Sequence, residues 1–299
     1  MNLIEVTREL NTEEKCLAYL EKLRWPNGVR CPQCGNEKLS RYETKNKSGK
    51  IIRLFQCLER TCKYKFSPTT GTLYHDSHLP LDKWFLAIAL ISESKKGISA
   101  NQLRRALGVQ YKTAWHLAHR IREAMKIDDP MKLKGIVEAD ETYVGGRYDK
   151  RRKRETHEKT CVMGVIQRGG QVRAQKIRSR GARAIAEFVK ASVEPGAKLM
   201  TDQYAGYKNV GRLYEHSTVN HSHLEYVAGL THTNSIENFW SLFKRGLVGS
   251  FHQISEKHLD RYLNEFCFRF NARNDHDLFG VTVKNLLAGK ALPYETLTQ

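Results

Sequence analysis

Residues able to do phosphoryl-transfer chemistry gather in three stretches of the C-terminal half. The first is Ile136-Val137-Glu138-Ala139-Asp140-Glu141-Thr142-Tyr143-Val144, closed by Gly145-Gly146. It reads as a strand with acids in its middle. A side-chain period of two puts Glu138 and Asp140 on one face and Glu141 on the other. Acids inside an apolar strand are costly unless a cation pairs with them, whereas an edge strand with a solvated face would carry them freely. The second stretch, Lys198-Leu199-Met200-Thr201-Asp202, ends on an acid where α/β sheets place ligands; a helix-capping Asp would look the same. The third is the helical run from Asn234 to Arg245. At about 100° per residue, Ile236, Phe239, Trp240, Phe243 and Leu247 form its apolar side, and Asn234, Glu237, Ser241 and Lys244 its polar side.

Two strand aspartates and a helix glutamate can hold two divalent cations about 3.5–4 Å apart, one activating an attacking oxygen and one stabilising the leaving oxygen. Carboxylates suit Mg²⁺ or Mn²⁺. Lys244, two helical turns beyond Glu237, can meet a phosphate from the same face. An ordinary polar helix face remains the alternative for this third stretch.

These residues need a scaffold that brings two strand ends and one helix together. The pattern over residues 131–299 predicts strands at 135–144, 160–167, 171–177, 198–203 and 215–219, with helices at 181–192, 233–247 and 256–271. Strands alternating with helices in this way describe an α/β domain with a mixed sheet. Between the first two strands run Arg147, Lys150, Arg151, Arg152, Lys153 and Arg154, read as a DNA-backbone contact over a merely solvated loop. Cys161, Cys267 and the aromatic residues of 262–270 read as core, and His221 and His223 carry no ligand pattern.

Two further modules precede this domain. Residues 1–67 hold a helix at 11–24 capped by Asn11, then Cys31-Pro-Gln-Cys34-Gly35 and Cys57-Leu-Glu-Arg-Thr-Cys62. Two cysteine pairs on separate knuckles suit a closed tetrahedral Zn²⁺ site, structural because four protein ligands leave no open position. Residues 68–130 read as helical, with Ser99 capping one helix, Gly108 turning the chain, and a basic helix from Tyr111 carrying Lys112, Arg120 and Arg122. That is the helix-turn-helix pattern, although an ordinary helical hairpin shares it. Asp128-Asp129-Pro130 reads as a linker.

Composition narrows the partners. Lys and Arg total 50 against 32 Asp and Glu, a formal charge of +18. Such a charge favours phosphate backbones, and no apolar run is long enough to span a membrane. The first residues lack the order of a signal peptide, which predicts a cytoplasmic protein.

The stretches VEADETYVGG, TDQYAGY, HTNSIENFWSLFKRG and SEKHLDRYLNEFCFRFNAR, together with CPQCG, closely resemble DDE-type transposases of bacterial insertion sequences, in the ISXO2-like group with an N-terminal zinc ribbon. The resemblance covers nearly the whole chain, and Asp202 and Glu237 stand 35 residues apart, as the second and third acids of that superfamily often do. It implies an RNase-H-like catalytic fold in which Asp140, Asp202 and Glu237 hold the catalytic metal and Lys244 accompanies them. Part of the group is described with Asn as third ligand, so Asn234 stands beside Glu237. It further implies binding of terminal inverted repeats and target double-stranded DNA, with Lys244 and Arg245 at the backbone. Cleavage and strand transfer would follow, in a homodimer or larger assembly on DNA and on the nucleoid when bound. A DNA-binding regulator derived from a transposase, or an RNase-H-like nuclease that cuts without joining, would present the same motifs.

Overall fold

The computed structural model describes residues 1–45, 51–127, 131–149, 154–210, 213–219 and 232–298, of which 146–149 and 154–158 are described by backbone alone. The linker 128–130, the residues Lys150, Arg151, Arg152 and Lys153, and both His221 and His223 lie outside the described residues. The chain divides into two units, 1–125 with 275–299, and 126–274.

The first unit opens with helices α1 (Leu3–Glu9) and α2 (Glu13–Arg24). Thr12, not Asn11, caps α2: its hydroxyl accepts from the Lys15 amide, while Asn11 accepts from the Lys15 ammonium. The cap shifts because Thr12 stands in extended backbone one residue before the helix, where a side-chain oxygen meets the free N–H groups. Strands β1 (Leu39–Lys45), β2 (Ile51–Cys57) and β3 (Lys65–Phe66) form an antiparallel sheet. Phe55 and Phe66 pair across β2 and β3 with ring centroids 5.5 Å apart, beneath Trp25. Helix α3 (Leu81–Glu93) follows, then α4 (Ala100–Leu107) and α5 (Tyr111–Ala124). Ser99 and Gln102 close a capping box on α4, and Gly108 takes the left-handed conformation (φ 61°) that lets the chain turn into α5. The expected pair of helices joined by a glycine turn is present.

The second unit is built on β4 (Ile136–Asp149), β5 (Arg154–Gln167), β6 (Val172–Lys176), α6 (Ala182–Ser192), β7 (Lys198–Asp202), β8 (Glu215–Val219), α7 (Asn234–Gly246) and α8 (Leu259–Asn271). The sheet order is β6-β5-β4-β7-β8, with β5 antiparallel to both β4 and β6 and with β4, β7 and β8 parallel. This is the mixed sheet of an RNase-H-like fold. Strand β4 lies at the centre, paired on both sides, so its acids are not those of a solvated edge. The β4–β5 hairpin continues past the expected strand ends into the basic run, whose Arg147 and Arg154 occupy strand positions.

Alternation along the strands builds two cores. Val137, Ala139, Met163, Val165 and Leu199 face α6 through Ile185 and Val189. Val144, Val162, Ile166 and Val172 face α7 and α8, meeting Ile236, Phe239, Trp240, Phe243 and Phe266. The period-two strands and the amphipathic helices therefore give three layers, with the even-numbered β4 residues turned towards α7.

After α8 the chain returns to the first unit through α9 (Leu278–Ala288) and α10 (Tyr294–Thr298). Phe279 packs against Tyr19 and Phe85, and the Leu73 amide donates to the Leu286 carbonyl. A boundary that gives all of 131–299 to one domain is thus corrected: α9 is apolar on a face that matches α2 and α3, and it completes their core.

Candidate active site and metal centre

Strand register brings the first two acids together. Glu138 pairs with Met200 at the end of the parallel β4–β7 ladder, and two residues further along each strand come Asp140 and Asp202, close enough that the charge of Asp202 acts on the Asp140 carboxyl. Both lie at the carboxyl end of β7, the end of an α/β sheet where loops leave room for ligands. Neither carboxylate makes an ion pair with a described cationic side chain, and the Asp202 carboxylate accepts the Tyr204 amide at 3.0 Å. Burial pushes the Asp140 carboxyl up to about 7, helped by the negative charges of Glu141, Asp202 and Glu237. Glu237 is therefore within electrostatic reach of Asp140. Its carboxylate accepts the Thr233 hydroxyl at 2.7 Å, and Asn234 stands one turn earlier on the same helix.

The three carboxylates are not drawn within 4.8 Å of one another. They form an open acid basin whose mutual repulsion a cation would relieve. Hard oxygen donors with no cationic partner among the described residues at either aspartate fit Mg²⁺ or Mn²⁺.

Glu138 shares the face of Asp140 but has a different employment. Its side chain is fully buried. It accepts the Ser235 amide at 2.7 Å, the Ser235 hydroxyl at 3.0 Å and the Ile236 amide at 3.1 Å. These are free N–H groups of the first turn of α7, whose dipole also favours a negative charge there. Arg168 donates to the other side of the carboxylate at 2.8 Å and ties down the His232 carbonyl. Glu138 thus anchors the N-terminus of the helix that carries Glu237. Sequence periodicity assigns it a face, but only tertiary structure shows a helix end above that face.

Gly164 completes the placement. It lies opposite Asp140 on β5, and a Cβ there would come within 2.5 Å of the Trp240 ring and 3.0 Å of Ile236. The missing side chain admits the indole against the sheet, so α7 docks close to the acids. A glycine inside an apolar strand is the one sequence signal for such an approach. On the opposite face Glu141 is held by Arg180 and by the Tyr207 hydroxyl at 2.6 Å, which removes it from the basin.

The second centre is the cysteine cluster. The sulfurs of Cys31, Cys34, Cys57 and Cys62 all lie within 4.8 Å of one another, with Cys31–Cys62 at 3.7 Å and Cys34–Cys57 at 3.6 Å. The edge of a tetrahedron with Zn–S bonds of about 2.3 Å is about 3.8 Å, so the donor set fits Zn²⁺. Gly35, at φ 76°, makes the turn behind the first knuckle. Burial raises the Cys31 thiol, but hydrogen bonds from the Cys34 and Gln33 backbone and from neighbouring thiols outweigh it and bring Cys31 down to about 7.

Other expected contact residues are distributed unevenly. Lys112, Lys244 and Arg245 are exposed. Arg120 and Arg122 are only 6% and 2% exposed, which corrects their reading as an open DNA face. Arg120 donates to the His75 carbonyl and lies over the Trp84 ring. A helical wheel gives the side of α5 they occupy, not what covers it. No described helix is long and apolar enough to cross a membrane.

Two family patterns match the chain: the ISXO2-like transposase domain over residues 132–271 and the transposase zinc-ribbon domain over residues 11–65. The first ends three residues short of the boundary of the second unit. Among curated proteins the chain is similar to "Uncharacterized protein in transposable element ISH50" of Halobacterium salinarum. The two are 30% identical over 281 residues, spanning 86% of this chain and 90% of that protein.

Proposed function

The chain belongs to the ISXO2-like transposases that carry an N-terminal zinc ribbon, and from that premise we propose a two-step DNA strand transfer centred on Asp140, Asp202 and Glu237. The observation that carries the proposal is that the buried Asp140 carboxyl feels the charges of both Asp202, on the neighbouring parallel strand, and Glu237 on α7, with no described cation in an ion pair with either aspartate. A pair of divalent cations held by these carboxylates would activate the attacking oxygen and stabilise the leaving one.

In the first step a water oxygen forms a bond to phosphorus at the end of the element while the 3′-oxygen leaves as a hydroxyl. In the second that hydroxyl attacks a phosphodiester of target DNA, forming one P–O bond as another breaks. No covalent protein intermediate is required. Glu237 serves as third carboxylate, with Asn234 contributing its amide from the same helix. Lys244 and Arg245 on the exposed face of α7, and the basic run from Arg147 to Arg154, meet the DNA backbone. The zinc ribbon and the α4–α5 pair recognise the terminal inverted repeats, with Lys112 as a phosphate contact. The protein acts as a dimer or larger assembly, because two element ends must be held together.

The test incubates wild type and Asp140→Ala with Mg²⁺, a labelled duplex bearing the flanking inverted repeat, and a supercoiled plasmid. Joined product from wild type alone is expected, with duplex binding retained by the variant, since loss of a negative charge does not weaken backbone contacts. Joining by Asp140→Ala would remove Asp140 from the mechanism. Cleavage without joining by wild type would make the protein a nuclease, and binding with neither reaction a regulator.

A further inference from the structure

A cavity of about 500 Å³ opens within the first unit, between the segment after β3, α5 and the chain at the start of α10. Arg120, Lys112, His75, Asp76, His116 and Tyr294 contribute to its wall. Arg120 is the unusual member. It is 6% exposed, yet no carboxylate among the described residues forms an ion pair with it. It donates to the His75 carbonyl, its guanidinium lies 5.5 Å from the Trp84 ring centroid, and its Nε is buried without a hydrogen-bond partner. Asp76 acts on it only through space and lies 3.5 Å from His75.

A buried guanidinium with no ion-paired acid is costly unless an anion reaches it, and its planar fork matches phosphate oxygens. A second cation stands in the same wall: the Lys112 ammonium, 5.3 Å from the centroid of the half-buried Tyr294 ring. Cations beside an aromatic ring are the elements that hold a nucleotide, phosphate on the charge and base on the ring. The volume lies within the usual range for small-ligand sites, about 300–1,000 Å³. A duplex cannot enter a space of this size, but a single nucleotide can.

We propose that this cavity binds one unpaired nucleotide, its phosphate against Arg120 and Lys112 and its base against Tyr294. The proposal rests on the reading of the chain as a DNA-handling transposase, and the shared chemistry admits either a free nucleotide or an extrahelical one on a DNA strand.

The test is calorimetric titration of the zinc-loaded full chain with dAMP, deoxyadenosine and inorganic phosphate. dAMP is expected to bind at least tenfold more tightly than either fragment. Lys112→Gln should weaken it about tenfold or more without lowering the melting temperature, Tyr294→Ala should weaken it at least as much, and Arg120→Gln should abolish it. Because Arg120→Gln and Tyr294→Ala change packed groups, the variant of the exposed Lys112 decides the matter if either fails to fold. Equal affinity of the variants and wild type, or phosphate binding as tightly as dAMP, would overturn the proposal. Competition by a duplex with a one-nucleotide overhang, but not by a blunt one, would assign the site to a DNA strand. Absence of competition would assign it to free nucleotide. Duplex binding by gel shift in the same preparation separates the two readings: if it persists while dAMP does not bind, only the cavity proposal falls.

Discussion

Asp140 is the residue on which the electrostatics turn. Burial pushes its carboxyl up to about 7 in the folded chain from an ordinary value of 3.8, and the nearby negative charges of Glu141, Asp202 and Glu237 add to the rise. Between these values the folded state keeps a proton that the unfolded state has lost. The associated stability is therefore fully present below about pH 4 and disappears as pH rises through 7. In zinc-loaded protein free of Mg²⁺, Asp140→Asn should raise the melting temperature at pH 8 and change it little at pH 4. The shift should be roughly 2–4 °C per kcal/mol recovered. A fall at pH 8 would mean that the carboxylate is already compensated. Glu138, by contrast with Asp140, has hydrogen-bond donors on both carboxylate oxygens. Glu138→Ala would strip two helix amides and Arg168 of their acceptor, and should cost about 3–5 kcal/mol in denaturant unfolding. A loss below about 1 kcal/mol would show that α7 does not depend on this anchor.

At the scale of elements, α7 positions the third acid and Gly164 is its seat. Gly164→Ala would press a methyl into Trp240 and should cost about 1–3 kcal/mol, as overpacking does. Strand transfer should fall by more than duplex binding, because the helix that carries Glu237 would be pushed off the sheet. Equal losses in both assays would mean a general defect rather than a displaced helix. Much of this element is legible in the residues themselves: Ile236, Phe239, Trp240 and Phe243 recur at helical spacing, and they are the ones that dock. The strands are legible too, since β-branched runs separated by glycine turns leave little choice. What lies hidden depends on contacts remote along the chain. The parallel register that sets Asp140 beside Asp202 joins strands some sixty residues apart. The same non-locality conceals the helix end above Glu138, the burial of Arg120 and Arg122, and the return of α9 to the first unit.

At the scale of the molecule, two units divide the labour, with the zinc ligands in one and the acid basin in the other. Cysteine spacing alone points to the zinc centre, because a closed thiolate site is local along the chain. Metal analysis should find one zinc per chain, and Cys34→Ser should lower it while reducing inverted-repeat binding at least tenfold. Retained zinc in that variant would contradict the four-sulfur site. The most direct test of the central claim is titration of zinc-loaded wild type, Asp140→Asn and Asp202→Asn with Mn²⁺, followed by the loss of free-ion signal in electron paramagnetic resonance. Wild type should bind Mn²⁺, more tightly as pH rises through 7, and each variant should lose at least tenfold in affinity. Undiminished Mn²⁺ binding by both variants would mean that the paired aspartates do not hold the catalytic metal.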